Sequence, residues 1–244
     1  MNAEEQAAIQ ATGIYKRFGP QEILHDIDLQ IRPAEIFGLL GPSGSGKTTL
    51  VRLITGIDIA SAGEVLVLGQ RMPNLEMFNR IGYMSQSDAL YTELTGKENL
   101  EFFASLFGLH GAERKKRIRD CMQLVDLSAH LNKPVSAYSG GMKRRLSLAV
   151  ALIHQPAVLI LDEPTVGIDP LLRQSIWNEL RALCYSGTTI IVTTHVMDEA
   201  DKCDRLGMIR EGRLIASGTP TELIQAAGKA SLEEAFLAYG GVVQ

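Results

Sequence analysis

Gly41-Pro42-Ser43-Gly44-Ser45-Gly46-Lys47-Thr48-Thr49 lies between an apolar run, Ile36 to Leu40, and an amphipathic one containing Leu50, Val51, Leu53 and Ile54. It fits the phosphate-binding loop, in which two glycines separated by four residues are followed by Lys and by Ser or Thr. Glycines at 41, 44 and 46 permit backbone conformations that bulkier residues resist, so successive N–H groups can converge on phosphate oxygens. Lys47 supplies a point charge for the β- and γ-phosphates, and the Thr48 hydroxyl is placed to ligate Mg²⁺. The helix beginning near Gly46 adds its positive end. The pattern predicts binding of a nucleoside triphosphate, with a plain glycine-rich turn as the bland alternative.

The remainder of the 244 residues suffices for one large domain or two small ones. An apolar fraction of 45%, 24 basic against 28 acidic residues and a net charge of −4 describe a folded globular chain. They disfavour direct contact with nucleic acid. The longest apolar candidate, Leu146 to Ile153, is far short of the roughly 18 to 20 residues that span a bilayer. The start, MNAEEQAAIQ, lacks a basic-then-apolar leader, and Met1-Asn2 does not begin a myristoylation motif. Cys121, Cys184 and Cys203 are scattered without metal spacing and are expected to be buried thiols in a reducing cytosol.

Alternation from Ala8 to Gly19 and from Ile23 to Ile31 predicts antiparallel strands, with Phe18 either part of a core or exposed to stack on a base. Gly63 to Leu68 and Arg80 to Met84 are β-rich, and Ser85-Gln86 marks a change of pattern. Thr95 to Leu109 and Glu113 to Leu127 carry apolar residues at helical spacing, Thr95 and Glu98 forming a capping-box pattern. These helices read as an insertion into an α/β core. The basic cluster Arg114, Lys115, Lys116, Arg117 and Arg119 is a solvated face first and an anionic-lipid contact second.

Tyr138-Ser139-Gly140-Gly141-Met142 opens a helix to about His154, with Ser139 as cap and freed N–H groups at a second anion-binding helix start. Ala157 to Leu161 is a buried strand closed by Asp162 and Glu163, carboxylates at the sheet edge where ligands gather. Asp162 is suited to holding Mg²⁺ through a water and Glu163 to taking a proton from an attacking water or orienting it. Asp169-Pro170 begins a further helix through Cys184. Thr188 to Thr194 is a further buried strand followed by His195, a structural histidine or, in the same layer as the two carboxylates, one expected to reach a γ-phosphate. A helix over 196–202, a hairpin around Glu211-Gly212 and two short helices complete the chain.

Taken in order, these elements resemble the ATP-binding-cassette (ABC) ATPases from about Ile9 to Gly218, the decisive feature being YSGGM just before VLILDE. The resemblance implies a RecA-like P-loop NTPase core with an antiparallel β subdomain (8–86 and 157–218). It also implies an inserted helical subdomain at 87–156 and C-terminal helices at 219–244. It assigns Phe18 to adenine stacking, Gln86 to Mg²⁺ or the attacking water, Asp169 to a dimer-crossing turn and His195 to the γ-phosphate. Ser139, Gly140 and Gly141 would then complete the site of a second cassette, identical or paralogous, paired head to tail around two MgATP. The departures are mild: Tyr138 and Met142 flank the signature, and the turn reads GIDP.

SDALYTELTGKENLEFFASLFGL, DEPTVGIDP and SLEEAFLAYGG look most like ATPases of bacterial type-2 exporters, which sit at the cytoplasmic face of the membrane and drive a separate permease. Leu90, Tyr91 and Leu94 are the expected permease dock, with ordinary core as the alternative. An importer ATPase, or a soluble ABC ATPase acting as a nucleotide-gated binding module, are the rival readings.

Overall fold

Strands buried on both faces demand layers on both sides, and three runs in this chain have that character: Ile36–Leu40, Val158–Asp162 and Thr189–Thr194 are buried throughout. The computed structural model describes residues 7–87 and 89–241 of the 244. The leader and acylation expectations, which rest on Met1 and its neighbours, lie outside the described residues, as does Asp88.

The strands are β1 (Ile9–Phe18), β2 (Gln21–Ile31), β3 (Ile36–Leu40), β4 (Ala62–Val67), β5 (Gln70–Arg71), β6 (Ile81–Met84), β7 (Val158–Asp162), β8 (Thr189–Thr194), β9 (Arg205–Arg210) and β10 (Arg213–Gly218). The helices are α1 (Lys47–Ile54), α2 (Gly96–Leu106), α3 (Gly111–Leu124), α4 (Gly140–Leu152), α5 (Pro170–Tyr185), α6 (Met197–Ala200), α7 (Pro220–Ala227) and α8 (Leu232–Tyr239). A six-stranded sheet runs β10-β9-β3-β8-β7-β6, parallel from β9 to β6 with β10 antiparallel at one edge. A four-stranded antiparallel sheet, β2-β1-β4-β5, lies over it.

Period-two alternation divides the large sheet between two cores. Phe37, Leu39, Val158, Ile160 and Ile191 join β1, β2 and α1 in one cluster. Their neighbours Ile36, Leu40, Leu159, Leu161, Ile190 and Val192 join α2, α4 and α5 in the other. A one-residue slip of β7 would therefore exchange every contact on both faces.

The stretch between β6 and β7 holds α2, α3 and α4. Thr95 caps α2 reciprocally with Glu98, Glu98 N–H donating to Thr95 Oγ1 at 3.1 Å and Thr95 N–H to Glu98 Oε2 at 2.8 Å. Two contacts hold this stretch together, Arg117 donating to the carbonyls of Leu152 and Ile153 and the Phe107 ring stacking on His154 at 3.8 Å, and His154 Nε2 ties it to the sheet 3.2 Å from the Ile81 carbonyl of β6. The helix expected over 196–202 is only the four residues of α6, because turns resume at Asp201. Four short elements carry no readable pattern: the two-residue β5 and the 3₁₀ turns at Leu75–Asn79, Ser128–His130 and Val135–Ala137. All three cysteines are buried and unpaired.

Candidate active site

Because β3, β7 and β8 are parallel and in register, Leu40 pairing with Thr194 and Asp162 with Thr193, the chain segments that follow them emerge along one edge. These segments are the glycine-rich loop, Glu163 and His195. The first lies between β3 and α1. Gly44 and Gly46 take φ of +79° and +106°, the left-handed region in which a side chain is strained. Gly41 is a glycine for another reason: a Cβ there would lie 2.2 Å from the Ile209 carbonyl. The expectation that all three glycines serve backbone freedom thus holds for two, while Gly41 lets β9 press against the loop. The tip of the β9–β10 hairpin adds to that wall. Gly212 N–H donates to the Ser45 carbonyl at 3.0 Å and its carbonyl accepts from His25 N–H at 2.8 Å, while a Cβ at Gly212 would strike the Ile23 carbonyl at 2.1 Å.

Lys47 Nζ folds back onto the loop, donating to the carbonyls of Gly41 at 2.7 Å and Pro42 at 2.9 Å. Burial pushes its pKa down, and the charges of Glu163 and Asp162 oppose that shift. A cleft of about 380 Å³ opens here, lined by Ser43, Gly44, Gly46, Lys47, Thr48 and Thr49, with Gln86 and Glu163 opposite. Thr48 and Gln86 also line an adjoining cleft with Asp162.

Asp162 is 1% exposed. Its Oδ1 accepts from Thr193 Oγ1 at 2.5 Å, while Oδ2 is buried without a partner, as is Ser45 Oγ in the loop. A buried carboxylate oxygen without a donor, beside a cleft carrying the Thr48 hydroxyl, is the chemistry of a hard-cation site. Glu163 is held by its backbone and by both carboxylate oxygens. Its N–H donates to Thr193 Oγ1 at 3.0 Å, Gln86 Nε2 donates to Oε2 at 3.3 Å, and His195 Nδ1 pairs with Oε1 at 3.1 Å. Its φ of +53° is unusual for a residue with a side chain. The structure therefore brings Lys47, Thr48, Gln86, Asp162, Glu163 and His195 to one edge.

Two residues of this site escaped the sequence reading. Thr193 joins Asp162 to the Glu163 backbone through one hydroxyl. Arg144, one turn into α4, donates from Nη1 to the carbonyls of Ser85 at 2.7 Å and Gln86 at 3.0 Å. From Nη2 it donates to those of Asp162 and, at 2.6 Å, Glu163. The available signal was a buried cation on the sheet-facing side of α4; within Lys143-Arg144-Arg145 it reads instead as solvated charge.

Phe18 ends β1 opposite Gln21, which lines the loop cleft; its ring is 48% exposed with Lys16 Nζ 4.7 Å from the centroid. Ser139 caps α4, accepting from Met142 N–H at 3.2 Å, and Gly140 and Gly141 line a separate cleft with Gln86, Arg144, Glu163, Val166 and Gly167. Asp169 caps α5, accepting from Leu172 N–H at 3.1 Å. Of the expected dock, Leu90 packs against the core, while Tyr91 is half exposed and meets Phe102 edge-on at 4.9 Å. Within α3, Arg117 is turned inward; Lys115, Lys116 and Arg119 are exposed.

Comparison with known proteins agrees with this geometry. The family model described as ABC transporter matches residues 24–166. The chain is 43% identical over 225 residues to the Nod factor export ATP-binding protein I of Sinorhizobium fredii, covering 91% of this chain and 66% of that protein. It is 39% identical over 220 residues to a probable multidrug ABC transporter ATP-binding protein of Escherichia coli, covering 89% of this chain and 38% of that one. The chain thus spans about two thirds or less of these relatives. A solved ATP-binding subunit of an ABC transporter superposes with a TM-score of 0.88 at 26% identity, covering 96% of this chain and 99% of that one. A dimeric ATP-binding cassette in a post-hydrolysis state with ADP and Pi superposes at 0.81 with 27% identity, covering 86% and 98%.

Proposed function

The chain belongs to the ABC transporter family, and from that premise we propose that it is the ATP-binding and ATP-hydrolysing subunit of an exporter. In this reading two cassettes close around two ATP and drive a separate membrane permease from its cytoplasmic side. The observation that carries the proposal is the grip on Glu163: both carboxylate oxygens are held, by Gln86 and His195, over the cleft that contains Lys47. Export follows from the relatives named for export of Nod factor and for multidrug transport. Among the described residues, no helix is long and apolar enough to cross a membrane.

Loop N–H groups and Lys47 bind the β- and γ-phosphates of ATP, and Phe18 stacks on the adenine. Thr48 and the unpartnered Oδ2 of Asp162, with Gln86 nearby, would hold Mg²⁺; when bound, the ion neutralises phosphate charge as it develops. Glu163 accepts a proton from, or orients, the water that attacks the γ-phosphorus. The new P–O bond forms as the β–γ bridge breaks, giving ADP and phosphate. His195 holds Glu163 through Nδ1, leaving Nε2 as the ring nitrogen for the γ-phosphate.

Ser139, Gly140 and Gly141 at the start of α4, with Asp169 beyond the next strand, serve the nucleotide of the second cassette, so the same surface is used twice. The 87–156 insertion carries α4 and moves with it, as the 8–86 and 157–218 segments carry the loop and carboxylates. Cleavage removes the bridging charge and the pair opens.

Glu163→Gln tests the assignment. Turnover should fall by about 10²- to 10⁴-fold, the scale of a lost general base, while ATP binding survives and an ATP-trapped dimer accumulates. Loss of binding together with turnover, or a monomer at every protein concentration with ATP present, refutes the shared site.

A further inference from the structure

Glu199 lies on the short α6, in neither the loop nor the carboxylate pair, and is 3% exposed. A carboxylate taken that far from water is costly unless its oxygens are satisfied. Both are, and by hydroxyls from two different segments. Thr165 Oγ1 donates to Oε1, and Thr194 Oγ1 donates to Oε2 at 2.7 Å. The two threonines are each 1% exposed.

Their positions give the contact its meaning. Thr194 immediately precedes His195, and its hydroxyl also accepts Val196 N–H at 3.0 Å, so it fixes the backbone on both sides of the histidine. Thr165 stands two residues after Glu163, in the turn that runs to Asp169; its carbonyl accepts Ile168 N–H at 3.1 Å. The same turn borders the start of α4. Val166 and Gly167 share a cleft with Gly140 and Gly141, and a Cβ added to Gly141 would stand 3.5 Å from the Gly167 carbonyl.

We propose that Glu199 is a positioning residue that couples the two nucleotide sites of the closed pair. One side of its carboxylate reports on His195, over the chain's own γ-phosphate. The other holds the turn that borders the α4 terminus, which serves the partner's. Movement of His195 as the γ-phosphate arrives or leaves is passed through Thr194, Glu199 and Thr165 to that turn. Spatial continuity of this kind becomes a coupling only when the contacts are shown to share free energy. The inference rests on the two-site reading above, and the test separates the two.

The measurements are made on the full chain with ATP as ligand: the Hill coefficient of ATPase activity, and ATP-driven dimerisation in the Glu163→Gln background. Thr165→Val removes one hydroxyl and keeps the side-chain shape. It should weaken ATP-driven dimerisation by about 5- to 30-fold and bring the Hill coefficient from near the number of sites towards one. Nucleotide binding by the monomer should stay close to the parent's, whereas the thermal midpoint should fall, because one oxygen of a buried carboxylate loses its donor. At position 199, Gln retains an acceptor and a group to which a rotated threonine hydroxyl can bond, whereas Leu retains neither. Glu199→Gln should keep the cooperativity and Glu199→Leu should lose it.

An unchanged Hill coefficient in Thr165→Val, equal behaviour of Gln and Leu at 199, or a fall of monomer nucleotide binding as large as that of dimerisation overturns the proposal and leaves the two-site reading standing. Absence of any ATP-dependent dimer in the parent overturns both.

Discussion

Arg144→Lys is the substitution that tests how the site is held together. In the native chain one guanidinium serves four carbonyls in two pairs, those of Ser85 and Gln86 from Nη1 and those of Asp162 and Glu163 from Nη2. An ammonium keeps the charge but not the fork, and cannot span both pairs. Two carbonyls then lose a charged donor, each worth about 1.5–3 kcal/mol, so the loss is about 3–6 kcal/mol before relaxation. A domain stable by about 5–15 kcal/mol survives that in most of its range. Function should suffer more, since Gln86 and Glu163 are both anchored here and a displacement of about 1 Å at reacting groups costs about 10²-fold in rate. The assays are steady-state ATPase and urea unfolding, with Arg145→Lys as control. Arg145 donates to the carbonyls of Val125 and Asp126, away from the carboxylates. The control should lose stability with little change in turnover, whereas Arg144→Lys should lose turnover with KM for ATP nearly unchanged. If Arg144→Lys keeps its turnover within about three-fold while its stability falls like the control's, the argument that this guanidinium positions Glu163 is wrong.

Gly46→Ala places a side chain at φ +106° with its Cβ 2.7 Å from Leu24 Cδ2, a strain of about 1–3 kcal/mol, and should weaken ATP binding about 10-fold or more by titration calorimetry; affinity within about two-fold of the parent would contradict the cradle geometry. His154 gives a pH dependence: burial holds its pKa at about 4, below the ordinary 6.5, with Nε2 against the Ile81 carbonyl. The unfolded chain takes up this proton first, so stability is full above the ordinary value and is lost as pH falls towards about 4, by about 2 kcal/mol between pH 7 and 5. Urea midpoints of the parent and of His154→Phe, which keeps a ring against Phe107, should diverge over that interval. Identical pH slopes would show that the ring does not stay neutral in the fold.

The loop, the carboxylate pair, the α4 cap and most strands were legible because each is written in adjacent residues: glycines at fixed offsets, an apolar run closed by Asp and Glu, a serine before two glycines. What stayed hidden depends on pairings distant in sequence. Arg144 looks like one of three consecutive cations until the carbonyls of Ser85 and Glu163 are brought to it. Thr193 reads as one more β-branched strand residue, although its hydroxyl joins Asp162 to the Glu163 backbone. Gly41 was legible as part of a motif but not in its reason, which is the Ile209 carbonyl behind it. Leu90 and Tyr91, neighbours in a single apolar stretch, point to opposite fates, core and surface.

The wall that Ile209 and Gly212 build behind the loop has a bearing on synthesis. A chain still being made on the ribosome presents Gly41 to Thr49 long before the hairpin that supports Ser45 has left the exit tunnel. At about 5–20 residues per second, the wait is on the order of ten seconds or more. The backing of the loop waits for the hairpin, and a nascent chain halted short of Gly212 has the motif without the bond that holds the Ser45 carbonyl.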